Sequence, residues 1–148
     1  MRRFAILVGV LFAVACDKPA PAPAAAGTMS AALKLADFAG KWAMETRGDT
    51  GAAVLVAYTL DAKADTAGWA LNFPDRAPVP THVSVSGDSL IMDAGPYESV
   101  LRKGVQVTTH SVSRLKDGKI EGTTVAHYSN TPTADSVRML RMSGTKMP

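Results

Sequence analysis

The stretch Val105-Gln-Val-Thr-Thr-His-Ser-Val-Ser-Arg-Leu-Lys-Asp-Gly-Lys-Ile-Glu-Gly-Thr-Thr-Val-Ala-His-Tyr128 reads as two strands joined by a hairpin. Val105 and Val107 open a run of period two that reaches Leu115. The run from Ile120 to Tyr128 is rich in Thr, Val and Tyr, residues that suit a pleated, half-buried surface. Between them, Lys116-Asp117-Gly118-Lys119 is a tight turn, and Asp117-Gly118 supplies the positive φ values that such turns demand.

The same texture extends in both directions. Val54, Val56, Tyr58 and Leu60 alternate upstream, followed by Trp69, Leu71 and Phe73. Val83 and Val85 precede the turn Ser86-Gly87-Asp88, and Leu90 and Met92 follow it. Tyr97 and Leu101 flank Ser99, and Val137, Met139 and Arg141 alternate near the end. Short turns at residues 48–51 and 102–104 separate further runs, longer connections occupy residues 61–68 and 129–135, and the three prolines between Phe73 and Pro80 interrupt the sheet. About eight or nine short strands joined mostly by hairpins predict an all-β fold, an antiparallel up-and-down barrel whose closure removes exposed edges.

Before this region the chain changes character. Arg2 and Arg3 precede an apolar run, Phe4 to Ala15, which ends at Cys16, the one cysteine of the chain. A positive start, a short apolar segment and small residues before the cut read as a secretory signal, because a membrane span needs about 20 apolar residues. Ala13-Val14-Ala15-Cys16 resembles the lipobox of bacterial lipoproteins. That resemblance implies a cut before Cys16, a diacylglyceryl group on its sulfur, and acylation of the new amino terminus by a chain such as palmitate. It places the protein in the bacterial cell envelope, anchored to the inner or the outer membrane with its domain outside the cytoplasm. Asp17 resembles the inner-membrane retention signal of enteric-type lipoproteins, a rule that does not extend to every phylum. The following DKPAPAPAAAGTMSAA is an extended, polyproline-like tether with little to bury, and Ser30 predicts the cap of a short helix through Ala36. The predicted organisation is a signal peptide at 1–15, a lipidated tether at 16–36 and a β-barrel domain at 37–148.

Asp37-Phe38-Ala39-Gly40-Lys41-Trp42 resembles the opening of lipocalin-type barrels, in which a helical turn leads to Gly-x-Trp on the first strand. The resemblance implies structural roles for Gly40 and Trp42, with Trp42 closing the barrel floor. It also implies an arginine near the last strand packed on the indole, Arg141 before Arg138. The Thr-Asp-Tyr turn of that family has no counterpart here.

Composition excludes several classes of function. The 16 Lys and Arg against 13 Asp and Glu give +3, and loss of Arg2 and Arg3 with the signal would leave +1, too weak a field to favour nucleic acid. With Cys16 acylated, no thiol remains for a disulfide, a nucleophile or a thiolate metal site. Gly87-Asp88-Ser89-Leu90 matches the motif that names a family of esterases. Here it lies between two strand runs without the Asp-x-x-His partner, and a serine without a positioned base is not a nucleophile, so a hairpin turn is expected and no catalytic residue is assigned. His82, His110 and His127 match no zinc spacing, and Asp61 and Asp65 match no calcium loop. No metal or cofactor is expected, and Glu98 and Arg102 receive no role.

What remains is binding. Tyr58, Trp69, Leu71, Phe73 and Tyr97 are the expected contacts of a small apolar ligand, because an eight-stranded barrel either fills with side chains or holds one small molecule. An Arg or Tyr at the mouth would hold the ligand's polar end. The alternative is a solid barrel that contacts another envelope protein. It is motivated by the run Ala52 to Leu60, apolar on both faces, in which Leu55 is expected to point outside the wall.

Overall fold

The computed structural model describes residues 33–148. The signal segment, Cys16, most of the tether and Ser30 lie outside them. The described chain opens with a four-residue helix, α1 (Leu35–Phe38), whose first turn is held by Asp37 Oδ2 accepting from the Lys34 backbone N–H at 2.8 Å. The predicted helix through Ala36 is thus replaced by one that runs to Phe38, because Asp37 supplies the local acceptor and Phe38 is fully buried.

Eight strands follow: β1 (Gly40–Gly48), β2 (Val54–Ala62), β3 (Ala70–Asn72), β4 (Val79–Ser86), β5 (Ser89–Glu98), β6 (Gln106–Lys116), β7 (Lys119–Tyr128) and β8 (Val137–Lys146). Each pairs antiparallel with the next, and β8 returns to β1, so the sheet is a closed up-and-down barrel. The all-β, closed antiparallel barrel expected from the alternation is the architecture of the described residues. The β6–β7 hairpin pairs residue for residue from Val107↔Tyr128 to Lys116↔Lys119, with positive φ at Asp117 and Gly118. β3 is only three residues long because Phe73-Pro74 removes the next backbone donor.

Side chains alternate between the barrel interior and its outer face. Trp42, Leu60, Leu90 and Ile120 are essentially inaccessible and fill one end, the floor, together with Phe38 and Trp69. On β8 the buried residues are Leu140, Met142 and Gly144, whereas Val137, Met139 and Arg141 are exposed. The alternation read on Val137, Met139 and Arg141 therefore marks the outer face. This strand carries apolar residues on both faces, and only pairing chooses between them.

The register corrects a second expectation. Trp42 lies opposite Lys146, and Arg141 lies opposite Arg47 at the other end of β1. Lys146 Nζ sits 5.6 Å from the centre of the Trp42 ring and takes the cationic place that Arg141 was expected to fill. Arg141 instead donates to the carbonyls of Gly48 and Gly51 and ties down the β1–β2 loop. Arg138 is level with Ala126, also far from the indole.

Leu55 is the third correction. A register shift between Thr46 and Arg47 displaces the start of β2. Leu55 then packs against the cluster of Val107, Ala126, Tyr128 and Leu140. Its side chain is half-buried against the barrel's own residues.

Candidate functional site

The two ends of the barrel are built differently. At the floor, the Trp42 indole N–H donates to the Phe38 carbonyl and the Trp69 indole N–H to the Asp65 carbonyl, each at 2.6 Å. Phe38 and Trp69 pack with ring centres 6.4 Å apart. Trp69 was an expected ligand contact; the structure makes it part of this seal, away from the cavity.

The open end holds the cavity. Tyr58 from β2, Leu71 from β3, Phe73 just after it and Tyr97 from β5 all line it, with Met92 and Leu140. Four of the five expected contacts are thereby brought together. The cavity measures about 60 Å³. One water needs about 10–15 Å³, and a dry cavity of about 150 Å³ admits benzene. The enclosed part thus accepts a few waters or part of a ring, and anything larger must extend into the mouth.

Its walls differ in chemistry. On the β2–β5 side, Tyr58 and Phe73 lie 5.2 Å apart and Phe73 and Tyr97 5.6 Å apart, a continuous aromatic wall. Below the Val107–Tyr128 pair, the inward positions of β6 and β7 are small and mostly hydroxylic: Thr109, Ser111, Thr124 and Ala126. Ser111 Oγ and Thr124 Oγ1 are 2.8 Å apart, and Thr124 Oγ1 lies 3.3 Å from Met142 Sδ. The cavity exists because these side chains are small where the opposing ones are large.

Burial pushes the Tyr58 hydroxyl above the usual tyrosine range, and the neighbouring Thr46 hydroxyl offsets part of that rise. Tyr97 is raised in the same way, mainly by burial, with Thr109 and Arg76 opposing it and Tyr128 adding to it. Both phenols are neutral at physiological pH. None of the lining side chains carries a charge at that pH.

Two arginines flank the mouth. The Arg102 guanidinium lies 4.2 Å above the Tyr128 ring and donates to the Asp135 carbonyl at 2.9 Å. Arg76 lies 5.9 Å from the Phe73 ring centre and donates to the Glu98 carbonyl at 2.6 Å. Glu98 Oε1 accepts from the Gly104 N–H at 3.0 Å, so the Glu98 and Arg102 side chains both hold the rim loops. Tyr128, Arg102 and the hydroxyl positions were missed in the sequence. The available signal was period two itself: Thr109, Ser111 and Ser113 occupy the inward phase that Val107 begins.

The remaining expected sites lie elsewhere. Ser89 opens β5 after the Gly87 turn, its hydroxyl 3.1 Å from Asp88 Oδ1 and 3.4 Å from Arg114 Nε. His82 and His110 flank Asp93 on the outer face, with His110 Nδ1 2.6 Å from Asp93 Oδ1. His127 is also exposed, and among the described residues no acidic, His or Cys group has the geometry to hold a metal ion. Asp65 Oδ1 accepts from the Ala67 N–H in an exposed turn. No family model, curated protein or solved structure matches the chain.

Proposed function

We propose that this is a lipid-anchored envelope protein whose barrel holds one small, largely apolar molecule at its open end. The observation that carries the reading is the cavity on Tyr58, Leu71, Phe73 and Tyr97, open at the mouth and sealed from the floor. Burial of apolar surface at about 25 cal/mol per Å² would supply the affinity, and the neutral interior favours an uncharged molecule. The lipobox reading of Cys16 supports the anchor: each acyl methylene buried in the bilayer contributes about 0.8 kcal/mol, and two or more chains hold stably. No catalytic step is assigned, since the function is retention of the ligand near the membrane.

Native mass spectrometry of the full chain extracted from bacterial membranes tests both parts. The expected spectrum carries acyl groups on Cys16 and a bound small molecule that Ala126→Leu removes. Cys16→Ser should release the protein from the membrane fraction. A ligand-free barrel whose spectrum Ala126→Leu does not change would overturn the binding reading, and membrane retention of Cys16→Ser would overturn the anchor.

A further inference from the structure

The two walls of the cavity ask for a ligand with two different sides, and the protons of the hydroxyl wall set the polarity of one of them. A thioether sulfur accepts but cannot donate. In the contact between Thr124 and Met142, Thr124 must therefore be the donor. With both contacts formed as hydrogen bonds, the Thr124 proton goes to the sulfur and the 2.8 Å contact between Ser111 and Thr124 is a donation from Ser111. In that arrangement both protons are used within the wall. What Ser111 Oγ presents to the cavity is lone pairs alone, and a polar group facing it has to bring its own proton.

Facing this acceptor is the aromatic wall of Tyr58, Phe73 and Tyr97. Such rings pack best against another ring in offset or edge-to-face arrangements. The lining carries no formal charge, which disfavours a desolvated ion. Arg76 and Arg102 at the rim each already face a ring and donate to a carbonyl. The small enclosed volume leaves no room for a long acyl chain folded inside and takes only part of a ring, the rest of which lies in the mouth. One step further down the inward face of β6, Ser113 is 1% exposed, and its hydroxyl has no hydrogen-bond partner. Polar capacity therefore continues below Ser111.

We infer that the cavity selects a neutral single-ring aromatic molecule that stacks on the Tyr58–Phe73–Tyr97 wall and donates one O–H or N–H to Ser111 Oγ. The inference rests on the proposed ligand site and adds the chemical class of its occupant. Substituents on the ring's far side would leave through the mouth.

The test uses p-cresol and p-xylene, rings of nearly the same shape that differ in one hydroxyl, titrated calorimetrically against the full chain in detergent and against Ser111→Ala. The expected result is that Ser111→Ala weakens p-cresol by about fivefold, the scale of one net hydrogen bond, and leaves p-xylene within about twofold. Unchanged p-xylene binding also reports that the variant's cavity is intact. If Ser111→Ala affects both probes equally, or neither, donor selection is overturned while an apolar site remains. If neither ring binds but 1-octanol does, the aromatic preference is overturned and the carrier reading stands. If none of the three binds, both fail.

Discussion

The floor and the mouth of this barrel are made from the same eight strands with the same alternation, yet one is solid and the other hollow. The difference lies in side-chain volume. Ile120 on β7 is fully buried at the floor, and towards the mouth the same face carries Gly122, Thr124 and Ala126. On β1, Trp42 gives way to Thr46. Alternation decides which residues face inward, and size decides whether the interior is full. A barrel can thus devote one half to stability and the other to a ligand without any change of topology.

Truncation at the floor should have the largest effect. Trp42→Ala removes a sealed indole and leaves the Phe38 carbonyl without its donor. A loss of about 3–5 kcal/mol is expected in urea unfolding, a large share of the stability of a domain this size. A loss below about 1 kcal/mol would mean that the floor is not the structural half.

Adding carbon should next distinguish a closed strand contact from the open cavity. A Cβ at Gly122 would strike the backbone of Val112 and Ser113, where β6 and β7 approach closely. Gly122→Ala should cost about 1–3 kcal/mol. Ala126→Leu places three more carbons in the open half and should change stability by less than about 1 kcal/mol in either direction. Equal penalties would show that the space beside Ala126 is as closed as the β6–β7 contact at Gly122.

The smallest effect concerns the aromatic wall at high pH. Tyr58 and Tyr97 have folded-state pKa values raised above the unfolded value of about 10. Their neutral forms are favoured in the native state, so this contribution is complete below about pH 10. It is lost as pH rises towards the folded values, where the unfolded chain binds fewer protons. Tyr58→Phe should make the decline in unfolding free energy between about pH 10 and pH 11 shallower and leave the value at pH 7 within about 1 kcal/mol. An unchanged slope would mean that Tyr58 is not desolvated.

The barrel was legible because its signals are local. Period-two runs, the Asp117-Gly118 turn and the proline cluster after Phe73 each state their structure within a few residues. The cation over Trp42 was not, since choosing Lys146 over Arg141 requires the register between the first and last strands. Leu55 was misplaced because a bulge moves one residue out of phase, and alternation alone cannot see it. The hydroxyl wall was overlooked for a different reason. Thr109, Ser111 and Thr124 are polar, and polar residues in an alternating strand read as the outer face unless the neighbouring phase is followed through them. Tyr58, Leu71, Phe73 and Tyr97 were found because they are large and apolar on the correct phase, whereas Trp69 shares that phase but lies too near the floor.

The most direct test of a hollow mouth above a solid floor is a methyl NMR titration of the full chain with p-xylene. Methyl signals of Leu71, Met92 and Leu140, which line the cavity, should shift and saturate together. Those of Leu60, Leu90 and Ile120 at the floor should stay in place. Absence of any saturable shift, or larger shifts at the floor than at the mouth, would contradict the division of the barrel into a structural and a binding half.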